Sequence, residues 1–171
     1  MGLFSAIDTS ASGLTAQRLR LDLISNNIAN INTTRTGQTT PAGNQIPYRR
    51  QMTVFVPRPP EADFGTLFKQ TLDGVGNQVQ AGFGPSPAGN GVQVSAIVED
   101  DAPFRMEYNP DSPDAAQLTE PGIPAGYVRY PNVDIVTEMV DLVSASRAYE
   151  ANVTALNASK AMAAKALEIG R

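Results

Sequence analysis

Residues 132–171 read NVDIVTEMVDLVSASRAYEANVTALNASKAMAAKALEIGR, and this proline-free stretch decides the fold. All thirteen prolines of the chain lie between Pro41 and Pro131, so the first forty residues are also free of helix breakers. Proline inside a helix removes a backbone donor and clashes with the carbonyl one turn earlier. The sequence therefore predicts a long helix at each end and an irregular, β-rich middle.

Apolar residues recur at alternating steps of three and four along both ends, which is the heptad pattern. A strict heptad drifts by only about 20° per repeat on a straight helix, so it forms one narrow stripe, here called a seam. The N-terminal seam consists of Leu3, Ile7, Ser10, Leu14, Gln17, Leu21, Ile24, Ile28 and Ile31. The C-terminal seam consists of Ile135, Met139, Leu142, Ser146, Tyr149, Val153, Leu156, Lys160, Ala163 and Leu167. We predict a mainly α fold in which the two seams pair as a coiled coil.

The domain boundaries follow from this pairing. Residues 1–33 and 131–171 are expected to form one discontinuous paired-helix domain, and residues 34–130 a β-hairpin and loop-rich middle region. Helices of this size are rods of roughly 40–50 Å at about 1.5 Å per residue. The predicted molecule is therefore elongated.

The middle region contains three stretches with strand character. Residues 48–56 are β-branched and aromatic, and residues 91–99 alternate apolar and polar side chains. Residues 104–108 are expected to pair with residues 91–99 across an acidic turn. Residues 58–90 combine helical spacing with many glycines, which predicts a short helix followed by a flexible link.

The two predicted helices differ in their own tendency to form. Asn132 is the expected N-cap of the second helix, whose first turns contain Asp134, Glu138 and Asp141, as the helix dipole favours. Residues 5–15 of the first helix are rich in Ser, Thr, Asp and Gly, which are poor helix formers. We therefore expect the N-terminal helix to need a partner.

The composition excludes several kinds of site. The chain has no histidine and no cysteine, so the usual zinc sites, Ser-His-Asp or Cys-His catalysis and disulfides are absent. The net charge of −4 argues against a nucleic-acid surface. We predict a protein that is not an enzyme, with no catalytic, cofactor or metal site and no nucleic-acid partner.

No apolar run approaches the roughly 20 residues that span a bilayer. Residues 1–14 contain no positive charge and no compact apolar block, unlike a secretory signal peptide. If the protein leaves the cytoplasm, we expect a route without a cleaved leader.

Two charged stretches have alternative interpretations. The run Glu99-Asp100-Asp101 suits a calcium site or an acid/base pair, but its spacing fits no EF-hand loop, and a solvated turn is favoured. The pair Arg49-Arg50 suits nucleic acid or an acidic partner, but a solvated pair at a strand edge is favoured.

The seams also fit a monomer whose core is a simple helical hairpin. However, Leu19 and Leu23 lie off the first seam, and Val136, Val140 and Val143 form a second stripe on the last helix. In a lone hairpin these side chains would face water, so assembly with neighbouring copies is favoured.

Several motifs resemble those of one protein family. SNNIANINT at residues 25–33 resembles the N-terminal signature of flagellar rod and hook proteins, in which N-I-A-N is followed by N-T. NVD at 132–134, EMVD at 138–141 and SASRAYEAN at 144–152 resemble the C-terminal region of that family. With YRRQ at 48–51, GVQV at 91–94 and YVR at 127–129, they are most similar to the proximal rod proteins. The family-motif residues are Asn27, Ile28, Ala29, Asn30, Asn32, Thr33, Arg147, Tyr149, Glu150 and Asn152.

This resemblance implies a non-enzymatic subunit of the bacterial flagellar basal body, exported into the periplasm by the flagellar type III apparatus without a cleaved leader. Its implied partners are copies of itself, other flagellar rod proteins, the rod-base adaptor and MS-ring components. Terminal helices that stay largely unfolded before assembly would suit such export. Residues 58–90 are expected to be longer than the linker of the family.

The alternatives are another rod or hook protein of the family, a periplasmic binding module, or a cell-wall glycosidase using Glu99 and Asp101.

Overall fold

The structure is a computed structural model that describes residues 3–59 and 90–169. Within them the chain forms helix α1 (Leu3–Ala29), strands β1 (Gln51–Pro57), β2 (Val92–Glu99), β3 (Arg105–Tyr108) and β4 (Tyr127–Tyr130), and helix α2 (Ile135–Ile169). The prediction of terminal helices around a small β-containing middle is confirmed. The short helix and flexible link expected in residues 58–90 lie, apart from the ends of that range, outside the described residues.

Helix α1 forms in spite of its many hydroxyl side chains. Thr9 Oγ1 donates to the carbonyl of Ser5 at 2.8 Å, and Thr15 Oγ1 donates to the carbonyl of Ala11 at 3.1 Å. Each of these hydroxyls bonds a backbone carbonyl one turn earlier in its own helix, and the backbone hydrogen bonds of the helix stay in place. The helix ends at Ala29, where the Asn30 side chain bonds the carbonyl of Asn26 at 2.9 Å.

Helix α2 is capped by Asp134, so the prediction of Asn132 as the N-cap is wrong. The Asp134 carboxylate accepts from the backbone amide of Val136 at 3.3 Å and from the hydroxyl of Thr137 at 2.7 Å. The hydrogen bond from Thr137 lowers the pKa of Asp134. Asn132 instead accepts from the backbone amide of Arg50 at 2.8 Å and donates to the carbonyl of Asp100 at 3.0 Å.

The two helices lie antiparallel and pack against each other. Gly13 lies beside Asn152, Arg20 pairs with Asp141, and Asn27 bonds Glu138, so the order along one helix reverses along the other. The shared face buries mostly small or polar residues, including Gly13, Ala16, Leu23, Asn27, Glu138, Ala145 and Ser159. Small residues let two helix backbones approach closely. Coiled-coil geometry and an elongated shape stay predictions.

The strands form two separate antiparallel pairs. Strand β1 pairs with β2 from Gln51↔Glu99 to Pro57↔Val92, with a bulge between Val54 and Phe55. Strand β3 pairs with β4 from Arg105↔Tyr130 to Tyr108↔Tyr127. The expectation that residues 104–108 pair with residues 91–99 is therefore wrong.

Asn132 accounts for part of this difference in pairing. Its side chain binds the carbonyls of both Asp100 and Ala102, so the chain between β2 and β3 is held against the residues that precede α2. Pro103 in this segment has no backbone amide to contribute to a hairpin ladder.

Side-chain hydrogen bonds connect residues 34–46 to the segment before β4. Thr34 donates to Asp114 at 2.7 Å, and Thr40 donates to Glu120 at 2.8 Å. These hydroxyl bonds lower the pKa of both carboxyl groups. Asn44, which is buried, donates to the carbonyl of Leu118 at 3.1 Å. The loops of the middle region are thus anchored by polar contacts rather than by a large apolar core.

Candidate functional site

The predicted packing residues of α1 lie at different depths. Ile24 is buried, whereas Leu3 is the first residue of the helix. The partly buried members of this set are Ile7, Leu14, Leu21, Ile28 and Ile31. The other buried positions of α1 are Gly13, Ala16, Leu23 and Asn27, and each lies one residue before a seam position.

The predicted packing residues of α2 divide into two groups. Leu142, Val153 and Leu156 are partly buried. Exposed members are Ile135, Met139, Tyr149 and Leu167. In the single chain, the side of α2 that packs against α1 is therefore not centred on the predicted seam. Part of the apolar surface of α2 is exposed. The role assigned to the seam residues, pairing of the two helices within one subunit, stays a prediction.

The family-motif residues also separate by burial. Asn27 is buried, and the partly buried members are Ile28, Asn30, Thr33 and Asn152. The exposed members are Ala29, Asn32, Arg147, Tyr149 and Glu150. Arg147 and Glu150 form an ion pair of 3.5 Å one turn apart on the outer side of α2. Of these motif residues, only Asn27 takes part in the central polar cluster described next.

Three of the family motifs, SNNIANINT, YRRQ and EMVD, meet where α1, α2 and the start of β1 come together. Asn27 is 1% exposed and uses both ends of its amide. Its Oδ1 accepts from the Tyr48 hydroxyl at 2.9 Å and the Gln51 amide at 3.0 Å, while Nδ2 donates to the Gln51 carbonyl at 2.9 Å and to Glu138 at 3.2 Å. One side chain therefore fixes the first helix to both other segments.

Arg50 completes this cluster from the hairpin side. Its Nε lies 2.5 Å from Oε1 of Glu138, which is 0% exposed, and its Nη2 lies 3.2 Å from Asp141. Asp141 also pairs with Arg20 of α1 at 2.8 Å. We call the six residues Arg20, Asn27, Tyr48, Arg50, Glu138 and Asp141 the motif junction.

The electrostatics of the motif junction are those of a compensated buried charge. Burial alone would lower the pKa of Arg50, but the hydrogen bond and charge of Glu138, with the charge of Asp141 and a hydrogen bond to Asp100, together raise this pKa. Burial raises the pKa of the Tyr48 hydroxyl, and the charge of Glu138 adds to the effect. A buried ion pair contributes little net stability, but removal of one partner is strongly destabilising.

The interpretation of Arg50 as a solvated residue is wrong. It is mostly buried and contacts two acidic side chains of α2. The sequence did indicate a site for a cation on α2, because the acidic residues Glu138 and Asp141 are three residues apart and share one helix face. Arg49 also has partners: it lies 4.6 Å from the centre of the Phe104 ring and donates to the carbonyl of Asp100 at 3.1 Å.

The run Glu99-Asp100-Asp101 is partly neutralised by these arginines. Asp100 lies 3.6 Å from Arg50, and Asp101 lies 3.4 Å from Arg49. The described residues contain no group of three or more acidic side chains placed to hold a metal ion. Neither described helix has an apolar stretch long enough to span a membrane.

An apolar surface lies on the outer side of α2, in its first turns. Val136, Met139, Val140 and Val143 are between 55% and 65% exposed and line a shallow hollow. We call these four residues the apolar patch. The expectation that Val136, Val140 and Val143 face outward agrees with their exposure, whereas the same expectation for Leu23 is wrong because Leu23 is buried. Met139, a seam position, is exposed as well.

Comparisons with known proteins agree with the motifs. Residues 7–35 match the family described as Flagella basal body rod protein, and residues 125–169 match Flagellar basal body rod FlgEFG protein C-terminal. The chain is 46% identical over 171 residues to the Flagellar basal-body rod protein FlgC of Bacillus subtilis, with 100% of both proteins covered.

Two further relatives have the same name. FlgC of Borreliella burgdorferi is 46% identical over 170 residues, which is 99% of this chain and 98% of that protein. FlgC of Escherichia coli O6:H1 is 35% identical over 171 residues, with 100% of both covered. The similarity therefore extends through the middle region as well as both terminal helices.

Proposed function

Since this chain belongs to the FlgC family of flagellar basal-body rod proteins, we propose that it joins neighbouring rod subunits through the outer side of α2. It is a structural subunit of the basal-body rod. The observation that carries the proposal is the apolar patch, whose four large side chains are exposed at the start of the longest helix. Exposed apolar clusters of this kind mark protein-protein contacts.

The same helix has a polar, well-paired inner side. Glu138 and Asp141 contact α1 and Arg50, which precedes β1, while Met139 and Val140 are exposed on the other side of the helix. One helix thus serves two contacts: the inner side fixes the fold of the subunit and the outer side is available to a neighbour. Heterologous contacts that do not close on themselves build helical arrays, and we propose a helical tube that transmits torque.

We also propose a division of labour between the two parts of the chain. Residues 1–33 and 131–171 would form the assembling core, and residues 34–130 a brace on its outside. The middle region supports this division because its loops are joined to one another by Thr34–Asp114 and Thr40–Glu120 contacts. We also propose a non-enzymatic role, which the similarity to proteins named as basal-body rod proteins supports.

The proposed partners are copies of the chain, other flagellar rod proteins, the rod-base adaptor and MS-ring components. The proposed route is the flagellar type III export apparatus without a cleaved signal peptide, and the proposed location is the periplasmic part of the basal body. Similarity over whole chains to proteins named FlgC favours this assignment over the other rod and hook proteins.

The test places a charge within the apolar patch. Val140→Asp should leave the subunit fold intact, because this side chain is mostly exposed. In a packed interface, an unpaired carboxylate costs several kcal/mol, so we expect the amount of the variant in purified basal bodies to fall at least about tenfold. Immunoblots of basal bodies from a strain that lacks the native subunit would measure this amount.

Gln117→Asp is the matched control, because it adds the same charge at an exposed position of the middle region. We expect this variant to enter basal bodies at the level of the wild type. Recovery of Val140→Asp at that level would refute the proposed contact.

A further inference from the structure

The motif junction contains a buried carboxylate whose compensation comes from a different part of the chain. Glu138 belongs to α2 and has 0% exposed side chain. Its partner on α1 is the neutral amide of Asn27, so the two helices alone supply no positive charge bonded to it. The cation bonded to Glu138 is Arg50, which precedes β1.

The other charges around Glu138 increase its dependence on Arg50. Asp141 of α2 and Asp100, which follows β2, are both negative and both within reach of the Arg50 guanidinium. Arg20 of α1 is the second cation, and it bonds Asp141 at 2.8 Å. Without Arg50, Asp141 would keep its bond to Arg20, whereas the fully buried Glu138 would have no cation bonded to it.

We infer that Arg50 is a positioning residue that couples closure of the α1–α2 pair to docking of the β1–β2 hairpin. Where the helices and the hairpin meet, Glu138 is fully buried, and without the guanidinium it would be an unpaired buried charge, which is strongly unfavourable. Arg50 enters with the hairpin and removes that penalty. The helix pair and the docked hairpin therefore stabilise each other through Glu138.

The same geometry explains why the hairpin cannot turn relative to the helices. The backbone amide and carbonyl of Gln51 bond the Asn27 side chain at 3.0 and 2.9 Å, and the backbone amide of Arg50 bonds Asn132 at 2.8 Å. Neighbouring backbone positions of the hairpin are thus held by α1 and by the residue segment before α2. This fixes the direction in which the Arg50 side chain enters the junction.

The experiment compares two ways to remove a negative charge after loss of Arg50. Arg50→Met should strongly reduce the stability of the helix pair, because it leaves Glu138 uncompensated. Adding Glu138→Gln should restore most of it, because glutamine still accepts from and donates to neighbours without a charge. Adding Asp141→Asn should not, because the Asp141 side chain is 31% exposed and its charge is hydrated.

The readout is helicity of the purified full-length chain by circular dichroism, titrated with urea or with trimethylamine N-oxide until the midpoint is crossed. From most to least stable, we expect wild type first and Arg50→Met/Glu138→Gln second. Arg50→Met and Arg50→Met/Asp141→Asn should come last, with equal stability. This measurement does not depend on rod assembly. Equal midpoints for wild type and Arg50→Met, or equal rescue by both second substitutions, would overturn the inference.

Discussion

Gly91 brings the start of β2 against helix α1. Its φ of +84° lies in the left-handed region, and a Cβ at this position would lie 2.2 Å from the Oγ of Ser12. That hydroxyl also accepts from the backbone amide of Val92 at 3.1 Å and donates to the carbonyl of Thr9 at 2.7 Å. The contact therefore needs both the unusual backbone angle and the missing side chain.

Gly91→Ala should destabilise the chain by more than the conformational penalty alone, which is about 1 kcal/mol for a left-handed alanine. The added methyl must displace Ser12 and break its bond to strand β2. The matched control is Gly122→Ala, whose φ is +85° but whose Cβ would meet nothing within 4 Å. The urea midpoint measured by circular dichroism, with trimethylamine N-oxide present to favour the folded chain, should fall further for Gly91→Ala. A midpoint no lower than that of the control would contradict the close contact.

Asn27 and Glu138 show how the family motifs act at single residues. Both are buried polar side chains, which the sequence places within apolar-periodic helices. A buried polar group is tolerated when its hydrogen bonds are satisfied, and Asn27 has four partners within 3.2 Å. The asparagine of the N-I-A-N element is thus a structural connector in this chain.

At the scale of elements, the contact between α1 and α2 depends on small residues. Gly13 faces Asn152, and a Cβ on Gly13 would lie 3.0 Å from Asn152 Nδ2. Ala16 and Ala145 are buried elsewhere along the same contact. The helices can approach because no bulky side chain stands between them at these positions.

Gly13→Val should therefore separate the helices and lower stability by about 1–3 kcal/mol, the usual cost of overpacking. Gly13→Ala is the smaller control, in which a gain in helix propensity of about 1 kcal/mol offsets a tight contact. Removing the obstacle with Asn152→Ala should recover part of the loss in Gly13→Val. Urea midpoints of the four chains, measured by circular dichroism with trimethylamine N-oxide present, would test this. Equal stability of Gly13→Val and wild type would show that the helices do not meet closely at Gly13.

At the scale of the whole molecule, the apolar core of a single subunit is small. The buried apolar residues among those described are Ala16, Leu23, Ile24, Ala116, Val128, Val133 and Ala145. Three of these are alanines, while larger side chains such as Met139, Val140, Met162 and Leu167 remain exposed. Most stability in a helical protein comes from packing of apolar faces. A single subunit therefore has little to hold its two long helices together.

We therefore predict that the free chain in dilute solution contains much less helix than the 27 and 35 residues of α1 and α2. Helicity should rise when subunits assemble, because neighbours then cover the exposed apolar side chains. Circular dichroism across a range of protein concentrations would measure this. Full helicity in a dilute, monodisperse monomer would show that the subunit core suffices by itself.

The sequence by itself determined the two helices, since prolines are excluded from both ends and the apolar residues follow a helical period. It also indicated the first two strands, which are predicted at residues 48–56 and 91–99 and lie at residues 51–57 and 92–99. Its motifs indicated the family. These properties are local, because they depend on residues a few positions apart.

Only the tertiary structure decided which sides of the helices meet and which strands pair. Arg50 is a solvated strand-edge residue by local criteria, and its burial depends on Glu138, which is 88 residues away. Asn132 has the chemistry of a helix cap but binds Arg50 and the β2–β3 connection instead. Polar residues gain or lose their partners through contacts distant in sequence, and a hydrophobic period carries no information about those contacts.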